Sequence, residues 1–298
     1  MRTTRKLKGT GVAIVTPFHK DGSVNFNCLE KLLEHLIKGK VDYLVPLGTT
    51  GESVTLTSDE KIAVLDFVTE VVGGRVPVVV GIGGNNTSEV LRNLSKFDLD
   101  NVDAVLSVSP YYNKPTQKGI YQHYKSIANE SPVPVILYNV PSRTGSNITA
   151  ETTLALANEF SQIIGIKEAS GDFEQIMKII SGKPGGFLVI SGDDLITLPM
   201  LASGADGVIS VVANAFPKEF SDMVRAASKG QMEKARKLHY ALADIIPMLF
   251  SHGSPGGIKA VLSMLDICED NLRLPLVQVP KAHQNRLSEM IEKIYVRS

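Results

Sequence analysis

The chain has 298 residues, 43% hydrophobic and 21% charged, with 31 Lys plus Arg against 31 Asp plus Glu. That balance suits an ordinary globular protein and argues against nucleic acid or an anionic membrane as the main partner, since both favour a basic excess. No apolar run reaches the roughly 18 residues of a membrane span.

In chain order, short β-branched runs alternate with helical patterns. The runs read as strands over Val12–Thr16, Tyr43–Leu47, Val76–Ile82 and Ala104–Ser109, then Val135–Tyr138, Ile163–Lys167, Phe187–Ser191 and Gly207–Ser210. Between them, Ser58-Asp59-Glu60 opens a helix with Ser58 or Asp59 as its cap. Thr87-Ser88-Glu89 and Thr149-Ala150-Glu151 open two more. Apolar strands separated by amphipathic helices imply a parallel sheet covered by helices. Eight such units favour a (β/α)8 TIM barrel over an open doubly wound sheet. The remainder reads as helix over Glu219–Ser228, Gln231–Leu249, Ile258–Leu265 and near Lys281–Tyr295, interrupted by Pro247 and the Gly253-Ser254-Pro255-Gly256-Gly257 turn. The expected organisation is a barrel over 1–230 and a C-terminal helical appendage over 231–298.

Several chemistries lack their motifs. Cys28 and Cys268 form no CxxC pair, the six histidines form no HExxH pair, and no metal is expected. There is no Walker A string, and Gly81-Ile82-Gly83-Gly84-Asn85-Asn86 fails GxGxxG at its last position. The basic start Met1-Arg2-Thr3-Thr4-Arg5-Lys6 is followed by no apolar stretch. No signal peptide is expected, and a reducing cytoplasm fits.

A barrel of this kind carries its active site at the C-terminal strand ends. Lys167 ends the run Ile163-Ile164-Gly165-Ile166. Desolvation there would disfavour the charged form and leave free amine for Schiff-base chemistry with a carbonyl substrate. The alternative is a lysine snorkelling outward, paired with Glu168. Tyr138 ends Pro134-Val135-Ile136-Leu137 and is either a proton shuttle or a core tyrosine bonded to a carbonyl. Gly48-Thr49-Thr50-Gly51-Glu52-Ser53 offers hydroxyls and turn amides for a small carboxylate, or is simply a capped turn. Tyr111-Tyr112 suggests a buried interface, or else a stacked surface pair. Arg143, in a Pro-flanked turn, either reads a carboxylate or makes a surface salt bridge.

Three strings together resemble the pyruvate-dependent class I lyase family, which includes dihydrodipicolinate synthase, N-acetylneuraminate lyase and 2-keto-3-deoxygluconate aldolase. They are Gly48-Thr49-Thr50-Gly51-Glu52-Ser53, Tyr138-Asn139-Val140-Pro141-Ser142-Arg143-Thr144-Gly145 and Ile164-Gly165-Ile166-Lys167-Glu168-Ala169-Ser170-Gly171. Arg143 and Pro110-Tyr111-Tyr112-Asn113-Lys114-Pro115 look specifically like the dihydrodipicolinate synthase branch. The resemblance implies that Lys167 forms a Schiff base with pyruvate and that Thr49, Thr50 and the Ile209 backbone hold the pyruvate carboxylate. Arg143 would receive the carboxylate of L-aspartate-4-semialdehyde. Tyr138 would move protons, with Thr49 and Tyr112 as its relay and Tyr112 coming from a neighbouring subunit of a homotetramer or tight dimer. It implies no cofactor, because the iminium on Lys167 is the electron sink. Two readings compete: a sister aldolase cleaving a sugar acid, and an inactive barrel serving as a binding protein.

Two departures from the family follow the same resemblance. Ser254-Pro255-Gly256-Gly257-Ile258-Lys259 replaces the usual Asn-Pro-x-Pro-Val-Lys, which puts the packing of that loop in question. Ser53, Asn85, Glu89 and Tyr111 match an L-lysine effector site, but Ser58 and Lys61 stand where lysine-sensitive members carry histidines. Weak or absent inhibition by L-lysine is therefore expected.

Overall fold

A computed structural model describes residues 2–297. Eight parallel strands form the sheet: β1 (Gly9–Ala13), β2 (Tyr43–Val45), β3 (Val79–Gly81), β4 (Ala104–Val108), β5 (Val135–Asn139), β6 (Ile163–Glu168), β7 (Leu188–Ser191) and β8 (Gly207–Ser210). Their order is β2-β1-β8-β7-β6-β5-β4-β3. The Leu44 N–H donates to the Pro77 carbonyl at 3.0 Å and the Gly81 N–H to the Pro46 carbonyl at 3.0 Å, which closes β2 onto β3. The result is a TIM barrel.

Around it lie α1 (Arg2–Lys6), α2 (Phe26–Lys38), α3 (Ser58–Val72), α4 (Thr87–Lys96), α5 (Gln117–Glu130), α6 (Pro141–Thr144) and α7 (Ala150–Glu159). They are followed by α8 (Phe173–Gly182), α9 (Thr197–Ala202) and α10 (Pro217–Ser228). The C-terminal extension is α11 (Met232–Ala243), α12 (Ile245–Phe250), α13 (Gly256–Met264) and α14 (Lys281–Arg297). α14 packs against α11, α12 and α13. Among the described residues no helix is long and apolar enough to cross a membrane.

Strand alternation divides the core in two. Val12, Leu44, Val105, Leu137, Ile166, Val189 and Val208 face the helices. Ala13, Tyr43, Val45, Leu106, Ile136, Tyr138, Ile190 and Ile209 fill the barrel interior, and Leu7 joins them from the segment before β1. The parity puts Tyr138 and Ile209 inside. Counting one residue on from the outward Ile166 puts Lys167 inside and Glu168 outside.

Several boundaries differ from the sequence reading, among them Val76–Ile82, which is strand only over Val79–Gly81, and three differ for a clear local reason. β1 pairs over Gly9–Ala13 rather than Val12–Thr16. Its glycines count against a strand by propensity, but a Cβ at Gly11 would lie 2.2 Å from the Tyr43 ring, so close packing demands glycine. The cap of α3 is Thr57, not Ser58 or Asp59. Thr57 Oγ1 accepts from Glu60 N at 3.2 Å and Glu60 Oε2 accepts from Thr57 N at 2.8 Å, a reciprocal capping box. The helical stretch expected over Gln231–Leu249, with Pro247 interrupting it, is two helices, α11 and α12, dividing at Asp244 just before the proline. Pro247 has no N–H to give the Ala243 carbonyl, so the ladder breaks there.

Candidate active site

β5 and β6 place two of the expected residues side by side. Tyr138 and Lys167 are register partners, and the Lys167 Nζ lies 4.3 Å from the Tyr138 ring centroid. Both are buried. The lysine needs a glycine opposite it: a Cβ at Gly192, after β7, would lie 3.0 Å from Lys167 Cε and 2.7 Å from the Ala169 Cβ. Glu168 does not pair with Lys167, because consecutive strand residues point to opposite faces.

Glu168 instead anchors a polar network behind the strands that sequence reasoning missed. Its carboxylate accepts from Asn139 Nδ2 at 3.1 and 3.0 Å, from Gln175 Nε2 at 3.0 Å and from the Ser170 N–H at 2.7 Å. Asn139 Oδ1 in turn accepts from the Ile148 N–H at 2.9 Å. Burial pushes the Glu168 carboxyl above its ordinary range, and these donors work against that rise. Asn139 and Glu168 directly follow Tyr138 and Lys167, so their bond ties together the strand ends that carry the two. The only sequence signal was adjacency to the candidates.

The Gly48–Glu52 turn caps β2. Its boundary residues Leu47 (φ 58°) and Glu52 (φ 52°) both lie in the left-handed region, a costly conformation for residues with a Cβ and one that clusters at functional sites. Thr16 Oγ1 donates to the Gly51 carbonyl at 2.7 Å. Thr50 is buried beneath the turn and Thr49 is exposed above it. Ile209 is buried on β8. Just past it, Asp194 Oδ2 accepts from the Val211 and Val212 N–H groups at 3.1 and 3.2 Å. Burial raises the Asp194 carboxyl to about 6.

A cavity of about 440 Å³ opens beside this centre and is lined by Thr49, Tyr138 and Arg143 among others. Arg143 sits on the short helix α6 and is exposed. Ser53, Lys61, Asn85, Glu89 and Tyr111 line the same cavity farther out. Tyr112 does not line it. The ring projects from the surface at 88% exposure, with φ 72° and its N–H bonded to the Thr144 carbonyl at 3.2 Å. The chain therefore brings Lys167, Tyr138, Thr49 and Arg143 to one strand-end mouth and leaves Tyr112 outside the cavity lining. Val54, two residues past Glu52, lines the same cavity and is exposed at 83%.

The comparisons agree with the geometry. Residues 6–294 match the model of the dihydrodipicolinate synthetase family. A 4-hydroxy-tetrahydrodipicolinate synthase of Flavobacterium psychrophilum is 54% identical over 279 residues, covering 94% of this chain and 95% of that protein. The dihydrodipicolinate synthase of Aquifex aeolicus superposes with a TM-score of 0.94 at 40% identity, covering 98% of this chain and 99% of that one. A monomeric dihydrodipicolinate synthase variant superposes at 0.95 with 37% identity, covering 98% of each chain. Over nearly its whole length, then, the chain belongs to the dihydrodipicolinate synthetase family.

Proposed function

We propose that the protein condenses pyruvate with L-aspartate-4-semialdehyde to give 4-hydroxy-tetrahydrodipicolinate, on the route to diaminopimelate and lysine. The observation that carries the reading is the buried Lys167 amine against the Tyr138 ring at the barrel mouth, in a chain 54% identical to a named synthase. The Lys167 amine attacks the keto carbon of pyruvate, and loss of water gives the iminium. Loss of a methyl proton gives the enamine, whose carbon attacks the aldehyde. Tyr138 delivers a proton to the resulting alkoxide. The substrate's own amine then displaces Lys167 and closes the ring. Thr49, Thr50 and the Ile209 backbone take the pyruvate carboxylate, and no other cofactor enters these steps. A phenol is a weak base at neutral pH, so a relay of hydroxyls through Thr49 helps it exchange protons. The sugar-acid aldolase and inactive-barrel readings have no support among the relatives. The deciding assay supplies pyruvate with aspartate semialdehyde, against N-acetylneuraminate as the competing substrate. Turnover of the sugar acid alone would overturn the reading.

Arg143 receives the aldehyde's carboxylate. Truncating one member of a hydrogen-bonded charge pair costs about 2 to 5 kcal/mol, and the exposure of Arg143 places it at the lower end. Arg143→Ala should lose roughly thirty-fold in kcat/KM for aspartate semialdehyde, about 2 kcal/mol, while imine formation with pyruvate survives. An unchanged response to the second substrate would make Arg143 a surface residue.

Tyr112 completes the relay of a neighbouring copy in a homotetramer or tight dimer. An aromatic ring so exposed next to a catalytic mouth supports this, since aromatics concentrate in interfaces. Sedimentation should give an assembly at least dimeric, and Tyr112→Ala should lower its activity. A fully active monomer would refute the shared site. We place the protein in the cytoplasm: Cys28 and Cys268 are both free thiols, which suits a reducing compartment.

Inhibition by L-lysine should be weak or absent. Lys61 shares the outer cavity with Ser53, Asn85, Glu89 and Tyr111, so an ammonium bound there meets another. At about 4 Å that repulsion is roughly 1 kcal/mol in water and about 4 kcal/mol at an effective dielectric near 20. The flexible stem of Lys61 softens it by swinging outward. Initial rates against L-lysine at saturating pyruvate test this, and half-inhibition below millimolar would sink it. Lys61→His should raise sensitivity.

A further inference from the structure

The C-terminal extension reaches the barrel mouth through Lys259 and Arg273. Lys259 lies on α13 and is 0% exposed. Its Nζ donates to Glu52 Oε1 at 2.5 Å and to the Asn271 carbonyl at 2.8 Å, and it stands 4.2 Å from the Phe18 ring centroid. Glu52 is as deeply buried, and its second oxygen accepts from the Arg273 N–H at 3.1 Å. Arg273 reaches across to Glu60 through both terminal nitrogens, at 2.8 and 2.5 Å, and to the Thr55 carbonyl at 2.8 Å. The extension thus grips the segment from residue 52 to residue 60 at both ends.

Glu52 is the last residue of the turn that carries Thr49 and Thr50, and it is held in the left-handed region. Such a backbone persists only where its surroundings over-determine it. Two features do so. The Glu52 N–H bonds the Thr49 carbonyl at 3.1 Å from within the turn, and Lys259 holds the side chain from beneath. A buried charge cannot leave its partner without bearing the full desolvation penalty, so the pair resists displacement. As plain attachment it is a poor choice, because apolar groups of the same volume attach as well or better. What it adds is a fixed direction. Burial pulls the Lys259 ammonium below its ordinary range and Glu52 opposes that shift.

We propose that Lys259 and Glu52 are positioning residues for pyruvate: the buried pair holds the Gly48–Glu52 turn so that Thr49 and Thr50 meet the carboxylate of the substrate on Lys167. The proposal rests on the pyruvate reading above. It makes the extension a support of the substrate site, acting through the Glu52 turn without touching the substrate.

Pyruvate reacts before the aldehyde enters, so kcat/KM for pyruvate reports the first half-reaction and kcat/KM for aspartate semialdehyde the second. Lys259→Met and the double variant Glu52→Gln/Lys259→Met separate positioning from stability. Lys259→Met leaves a buried carboxylate unpaired and should melt well below wild type. The double variant removes both charges and should melt within about 5 °C of wild type, since neutral replacement of a buried pair is often close to neutral. Both should lose about ten- to a hundred-fold in kcat/KM for pyruvate, the scale of a misplaced binding group, with a clearly smaller loss in kcat/KM for aspartate semialdehyde, which feels the turn only through the Thr49 relay. Borohydride trapping should need correspondingly more pyruvate. If Lys259→Met does not fold, the double variant decides. A folded double variant with wild-type pyruvate kinetics overturns the proposal, and so does an equal loss for both substrates. Failure of wild-type protein to trap pyruvate would instead overturn the underlying reading.

Discussion

Lys167→Ala is expected to abolish covalent capture of pyruvate and to lower turnover by about four orders of magnitude or more, the scale of losing a nucleophile that acts as part of a unit. Wild-type protein treated with borohydride and pyruvate should gain one pyruvate-derived adduct per chain, on Lys167. The structural reason is the amine's isolation. It is buried at the strand end against the Tyr138 ring, and a Cβ at residue 192 would crowd its Cε. Glu168, which would otherwise hold the amine as an ion pair, is turned to the other face of β6 and occupied by Asn139, Gln175 and Ser170. Mass mapping of the reduced adduct checks this. An adduct on another lysine, or none, would remove Lys167 from the mechanism.

Tyr138→Phe should lose roughly two to four orders of magnitude in turnover, the usual worth of a positioned acid–base group. This substitution isolates the hydroxyl. The ring that packs against the Lys167 Nζ at 4.3 Å stays, and so does its contribution to the barrel core. Fold and imine formation should both survive, so borohydride should still trap pyruvate on the variant. A turnover near wild type would show that another group moves the proton. Loss of trapping together with turnover would show instead that the hydroxyl matters for forming the imine.

The register of β5 and β6 explains why both residues were legible early. Each closes an apolar run, and in a parallel barrel the end of such a run is the rim where chemistry sits. Which neighbour faces inward took the structure, because the run before Lys167 is apolar throughout: Ile166 packs in the helix-facing core, so Lys167 points in and Glu168 out. The Lys167–Glu168 pair that the sequence left open fails on that count.

The amino-acid order by itself determined the eight-strand alternation, the placement of Lys167, Tyr138, Thr49, Thr50 and Arg143 at strand ends, and the family. These are local properties: run length, caps, turns and short strings of side chains. Tertiary structure decided what depended on distant partners. Gly11 belongs to β1 because the Tyr43 ring lies against it, which no propensity records. Leu7 enters the barrel core from outside the strands. Lys259 meets Glu52 across 207 residues of chain, and its burial follows from the way α13 lies under the Gly48–Glu52 turn. Burial and pairing are properties of the whole packing, and a residue's sequence neighbours do not reveal what lies across the core from it.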